Sequence, residues 1–314
     1  MSKFKSKLKT VLLIDTLAVG AMHIMNESIS SSALLKNILK PQTGKYYSWK
    51  MGDIFYKKMG TGSPLLLIHN LDAFSSGYEW NALLDKLKKD HTLYVIDLLG
   101  CGRSNKPGIT YTNYMYVQLL TDFINDVIGE KTDIAVTGMS SSFVVMTALA
   151  STNIIGKITM INPPSLNKLD QVPDDKSKLI KSIMSIPIIG TTIYHIKSCR
   201  QNVEYAVTEK YMYNPFHTQQ KVIDAYYEAA HYGHGGGKNL MASLDGFYLN
   251  VNIRRALAKI ENEIHIIYSD KLENEREIVK SYKNINGNIS TSLITGTKLL
   301  PQLERPEEVL NKLQ

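Results

Sequence analysis

Residues 45–64, KYYSWKMGDIFYKKMGTGSP, alternate aromatic or apolar side chains with polar ones and then break at Gly60, Gly62 and Pro64. That pattern predicts a β-hairpin. Residues 65–69, LLLIH, form an unbroken apolar run of strand length, which suits a strand covered on both faces. A helical stretch near Tyr78–Lys89 follows, then a second apolar run, TLYVIDLLG, at 92–100. The alternation repeats with a helix at about 113–128, the strand DIAVTGM ending at Met139, a helix from Ser141 to about Ser151, and the strand KITMINPP. Strands and helices taking turns predict a mostly parallel sheet flanked by helices.

The alternation stops after Pro164. Residues 165–241 read as helices and loops without a strand, and EIHIIYS at 263–269 resumes the pattern, followed by EREIVKSYK, NISTSLIT and RPEEVLNKL. An insertion of that size between strands predicts a helical cap over one edge of the sheet. The expected layout is an N-terminal segment, 1–30, and one α/β domain, 44–314, with about eight strands and the cap at 165–241.

Composition changes this picture little. With 44% apolar and 21% charged residues in 314, the chain has an ordinary globular balance. Its net charge of +7 owes four units to Lys3, Lys5, Lys7 and Lys9, so the rest is only mildly basic and no nucleic-acid partner is expected. Two cysteines, Cys101 and Cys199, exclude a disulfide framework and show no metal-ligand spacing. No metal or cofactor is expected.

The lysines precede an apolar run, Val11–Met25, interrupted by Asp15 and His23. A spanning helix needs about 20 apolar residues, and an aspartate near its centre costs about 2.5–3.5 kcal/mol. Three readings fit: a weak single-pass anchor, a helix lying on the bilayer surface, and a soluble leader. The first two make the protein membrane-associated through residues 1–30; otherwise it is cytoplasmic. No small-x-small cleavage site follows convincingly.

The strongest chemical signal is VTGMSSSF, where the expected strand meets the expected helix. A side chain on a sharp strand-to-helix turn stands above the sheet, and packing demands small residues on either side, here Gly138 and Ser142. The segment resembles the nucleophile elbow G-x-S-x-G of the α/β-hydrolase fold family, serine esterase and lipase branch, with Ser142 in place of the second glycine. The resemblance extends to LLLIHNLDA, similar to the family's oxyanion segment with Asn70 where glycine is usual, and to VIDLLGCGRSNKP. It implies that Ser140 holds the nucleophile position, that the N–H groups of Leu71 and Ser141 are the oxyanion donors, and that His69 is structural.

The same resemblance implies losses. IHIIYSDKLENE aligns Leu272 with the family's acid, leaving Asp270 and Glu273 as the nearest substitute acids. GTKLLPQLERPEE keeps Pro301, Glu304, Pro306 and Glu307 of the family's histidine motif, which puts Leu299 at the histidine's place. A serine hydroxyl is a poor nucleophile without a neighbouring base. His231, His234 and His217 in or near the cap are the candidate stand-ins, while Tyr211, Met212 and Tyr213 read first as core and lid packing and would line an apolar chamber if one exists. The expectation is a degenerate, weak or inactive hydrolase that binds an apolar or acyl ligand or a protein partner. Its rivals are an active ester hydrolase with a rebuilt triad and a membrane-surface interaction module.

Overall fold

The computed structural model describes residues 2–313, with side chains from Leu17 onward; Lys3, Lys5, Lys7, Lys9 and Asp15 lie outside the described side chains. The eight strands are β1 (Lys45–Trp49), β2 (Gly52–Met59), β3 (Ser63–Ile68), β4 (His91–Ile96), β5 (Thr132–Thr137), β6 (Ile155–Ile161), β7 (Ile264–Ser269) and β8 (Ser290–Ile294). They form one sheet in the order β1-β2-β4-β3-β5-β6-β7-β8. The β1–β2 and β2–β4 pairs are antiparallel and the other five are parallel. This is the mostly parallel, eight-stranded sheet that the alternating pattern predicts.

Helices α1 (Ser2–Ala33), α2 (Leu84–Leu87), α3 (Asn113–Phe123) and α4 (Ser141–Ala150) come before β6. Between β6 and β7 lie α5 (Leu166–Leu169), α6 (Asp175–Ser185), α7 (Ile189–Lys197), α8 (Arg200–Tyr205), α9 (Gln220–His231), α10 (Lys238–Asp245) and α11 (Arg254–Lys259). The chain ends with α12 (Glu275–Ile285), α13 (Pro301–Glu304) and α14 (Pro306–Leu313). Leu65 to Ile68 on β3 and Leu93 to Ile96 on β4 are buried throughout, as strands covered on both faces must be. The helix expected at 78–89 is instead a single tight turn, Gly77–Trp80, followed by the short α2.

The chain order doubles back at β3, which lies between β4 and β5. In an open parallel sheet, ligands gather beyond the carboxyl ends of the strands beside such a switch point. Two loops meet there, residues 69–76 after β3 and 138–140 after β5. A buried ion pair underpins the first: Arg103 reaches Asp97 from Nε at 2.6 Å and from Nη2 at 2.8 Å, and Asp97 also accepts the Gly77 N–H at 2.7 Å. Burial by itself would raise the Asp97 pKa, but the guanidinium pulls it down to about 2. His69 accepts the Leu98 N–H at Nε2 and donates from Nδ1 to the Asn70 carbonyl. Burial holds it neutral, with its pKa near 4.

Among the described residues no single helix is long and apolar enough to cross a membrane.

Candidate functional site

Strand β5 stops at Thr137, two residues earlier than the sequence pattern implies, and Gly138–Ser140 form one tight turn into α4. The residue that carries the turn is Gly138, with φ of 57°, a value that only glycine adopts freely. Ser140, expected at the exposed tip, lies past it in ordinary helical backbone, φ −63° and ψ −22°. It is fully buried, and its hydroxyl donates to the His69 carbonyl at 2.6 Å. Ser141, expected as an oxyanion donor, has its N–H directed back to the Gly138 and Met139 carbonyls within the turn. Ser142 is buried too; its hydroxyl donates to the Met139 carbonyl at 3.0 Å and accepts from Asn113 at 2.9 Å. These placements share one cause: the turn comes directly after Thr137, two residues before the expected strand end, so the serines fall past it and are buried.

Above the turn, Asn70 closes the space. Its side-chain oxygen accepts the Met139 N–H at 3.0 Å, and a Cβ on Gly138 would collide with that same oxygen. Asn70 is held by its own backbone N–H, which donates to Glu79 at 2.9 Å. Tyr226 donates to the other Glu79 oxygen at 3.0 Å. Burial pushes the Glu79 pKa up to about 8 despite those two donors.

A cavity of about 670 Å³ opens over this turn, and Asn70, Leu71, Gly138, Met139, Leu272 and Leu299 all line it. It shares Asp72, Tyr211, Leu244 and Asp245 with an adjoining cleft of about 530 Å³ beneath the cap. Asn162 sets the position of Leu299: its amide donates to the carbonyls of Lys298 at 2.9 Å and Leu299 at 3.1 Å. Gln302 ties the same segment to Thr137 at the end of β5. The two leucines thus meet Gly138 around one cavity, although they are far apart in sequence. A larger depression, about 860 Å³, sits at the opposite end of β5 and β6 around Lys131, Gly156 and Glu263, away from the switch point.

The remaining expected residues are not brought to the cavity. Asp270 accepts the Gly296 N–H at 2.6 Å and pairs with Lys271 at 3.3 Å, so it serves its own turn. Glu273 is exposed and lines no part of the cavity. His231 is buried against His195, ring centres 5.2 Å apart, and bonds the Tyr227 carbonyl through Nδ1. His234 pairs with Glu27 at 2.7 Å, and His217 is exposed beside Asn214. No histidine lines the cavity, and among the described residues no imidazole hydrogen-bonds the Ser140 hydroxyl. Of the apolar trio expected there, Tyr211 lines the cavity, Met212 packs into the cap core, and Tyr213 is exposed.

Sequence reasoning missed Glu275. It opens α12 and lines the cavity; its Oε2 is buried and has no hydrogen-bond partner among the described residues. Burial raises its pKa to about 7. A glutamate in a first helical turn reads as an ordinary dipole partner, so only the fold reveals its setting. Gly138 did carry a signal, since a glycine directly after a strand marks a backbone position that needs positive φ.

Residues 65–310 match a family model described as "Alpha/beta hydrolase family". A segment of 71 residues is 35% identical to 2-hydroxy-6-oxo-6-(2'-aminophenyl)hexa-2,4-dienoic acid hydrolase of Metapseudomonas resinovorans; that match spans 22% of this chain and only 24% of that enzyme. Among solved structures, a serine hydrolase involved in carbazole degradation superposes with a TM-score of 0.70 at 15% identity, over 86% of this chain and 96% of the other. Carboxylesterase CesB from Bacillus subtilis gives 0.67 at 12% identity, over 93% and 97%. At such identities the likeness concerns the fold.

Proposed function

Because the chain belongs to the alpha/beta hydrolase family, we propose that it is a member without covalent ester chemistry, whose former reaction site binds a small apolar or acyl ligand. In this reading Gly138 rather than Ser140 occupies the nucleophile's place, since the nucleophile of this fold sits on the strained turn directly after the strand. The oxyanion donors are then the N–H of the next residue, Met139, and that of Leu71. Leu299 and Leu272 stand where histidine and acid would be. None of the three positions can take up or pass on a proton.

One observation carries the proposal: the Asn70 side-chain oxygen fills the space a nucleophile's side chain needs and already accepts the Met139 N–H. A hole whose donor is satisfied from within offers little to a developing oxyanion. Leu71, Leu272 and Leu299 give the cavity an apolar wall, which suits binding without turnover.

The test is activity-based labelling. Purified protein treated with a fluorophosphonate probe and assayed with a chromogenic acetate is expected to stay unlabelled and to hydrolyse no faster than its Ser140→Ala variant. Stoichiometric labelling, or esterase turnover that the substitution removes, overturns the proposal.

A further inference from the structure

The face that remains without a role is the joint between α6 and α7. The two helices meet at 106° across residues 186–188. The turn is tight enough to put Ile188 at a φ of 63°, a region that β-branched residues otherwise avoid. Its tip carries Ile183, Ile186, Pro187 and Ile189, all exposed, with Ile186 and Ile189 showing 42% and 45% of their surface. A monomer seldom leaves several large aliphatic side chains together in water without a use for them.

Helix α1 makes contact at this point. Asn26 donates from its side chain to the Ile188 carbonyl at 3.3 Å and to Thr192 at 3.1 Å, and Ser30 meets His195. On the N-terminal side of Asn26 the helix leaves the domain: from Leu17 to Met25 every residue is exposed except the half-buried Met22. Leu17 and Ile24 show 65% and 68% of their surface. An apolar helix and an apolar elbow therefore emerge side by side at one pole of the molecule.

We propose that this pole, the α6–α7 elbow together with the root of α1, is a docking face for an anionic lipid surface. The occupant follows from shape and charge. An apolar segment projecting from the fold has no surface of its own to cover it, and in sequence it leads to Lys3, Lys5, Lys7 and Lys9, a cluster that anionic headgroups attract. The carboxylates of α6, Asp174 and Asp175, sit at its far end, engaged with Ser177 and Lys178. Near the joint, Glu27 is paired with His234, and Lys238 donates to Thr191 at 3.0 Å. In this proposal the face lies on the bilayer, with the exposed isoleucines of the elbow dipping into its boundary.

Vesicle flotation with the full chain tests this. The protein is expected to float with vesicles of phosphatidylcholine and phosphatidylglycerol, less with phosphatidylcholine alone, and less again as salt rises. The Ile186→Ser, Ile189→Ser double variant is expected to lower partitioning on the order of tenfold, because two side chains no longer enter the apolar layer. Its thermal midpoint and circular dichroism should be unchanged, both sites being exposed. Tyr114→Ser, which removes an exposed aromatic residue on α3, is expected to float as the parent does. Three results overturn the inference: no flotation of the parent; flotation that the double variant leaves unchanged, which assigns binding to α1 alone; or a dimer dissolved by the double variant without any flotation, which assigns the face to a second copy.

Discussion

The side-chain oxygen of Asn70 sits 3.0 Å from the backbone nitrogen of Met139 and accepts a hydrogen bond from its N–H. Asn70 follows β3 and Met139 follows β5, so the bond joins the two loops at the switch point of the sheet. It also occupies the one place above Gly138 where a side chain would have to go.

Restoring a serine alone should therefore fail. Gly138→Ser meets both a positive φ and the Asn70 oxygen, and is expected to cost about 1–3 kcal/mol of stability with no gain in fluorophosphonate labelling. Combined with Asn70→Gly, Leu299→His and Leu272→Asp, the same serine should become labelled and hydrolyse a chromogenic acetate. Labelling of the single variant at the rate of the quadruple one would show that Asn70 and the two leucines do not hold the site shut.

Ser140 should behave as a packing residue. Its hydroxyl is fully buried and donates to the His69 carbonyl at 2.6 Å, so Ser140→Ala is expected to cost about 0.5–1.5 kcal/mol, read as a lower urea midpoint. Ligand affinity should be unaffected, because the hydroxyl does not line the cavity. A large affinity loss at unchanged stability would show that the hydroxyl reaches the ligand.

The sheet was legible because buried parallel strands leave unbroken apolar runs, and LLLIH and TLYVIDLLG have no other comfortable reading. Leu272 and Leu299 were singled out by the resemblance to the family's acid and histidine motifs, and the fold gathers both around one cavity with Gly138. In the reading proposed above, the elbow lies two residues earlier than the resemblance implies, because Gly138 and Met139 extend the apolar strand pattern and periodicity cannot tell where hydrogen bonding to β6 ends. Strand β5 pairs with β6 only as far as Thr137. Glu275 was invisible for another reason: nothing local distinguishes an exposed first-turn glutamate from one turned into a cavity.

Glu275 should make stability depend on pH. Its folded pKa of about 7 lies above the ordinary 4.5 because burial disfavours the charge. The folded state therefore holds the proton more tightly than the unfolded chain, and the stability this contributes is full below 4.5 and lost as pH rises through 7. Glu275→Gln should remove that loss, so the variant gains on the order of 1–3 kcal/mol over the parent between pH 5 and pH 8, read from urea midpoints. Parallel curves for the two proteins would mean that the carboxylate is solvated.

The sharpest stability effect is expected at Arg103. Its guanidinium stacks 3.8 Å over the Phe55 ring, pairs with the fully buried Asp97, and donates from Nη1 to the Leu39 carbonyl at 2.9 Å, which ties the segment after α1 to the domain. Arg103→Met leaves Asp97 charged and buried with backbone donors alone, an arrangement that typically costs about 3–5 kcal/mol. The sign of the pH dependence follows from the pair: Asp97 titrates near 2 in the fold against an ordinary 3.8. The stability it contributes is thus present above 3.8 and lost as pH falls through 2. In Arg103→Met that depression is gone and burial dominates, so the carboxyl prefers its proton and the variant should be less unstable at pH 4 than at pH 7. Adding Asp97→Asn removes the stranded charge and should recover part of the loss at pH 7. Urea denaturation of the parent and both variants at the two pH values decides the matter, since a penalty equal at both would place the cost in lost packing on Phe55 instead of in an unpaired carboxylate.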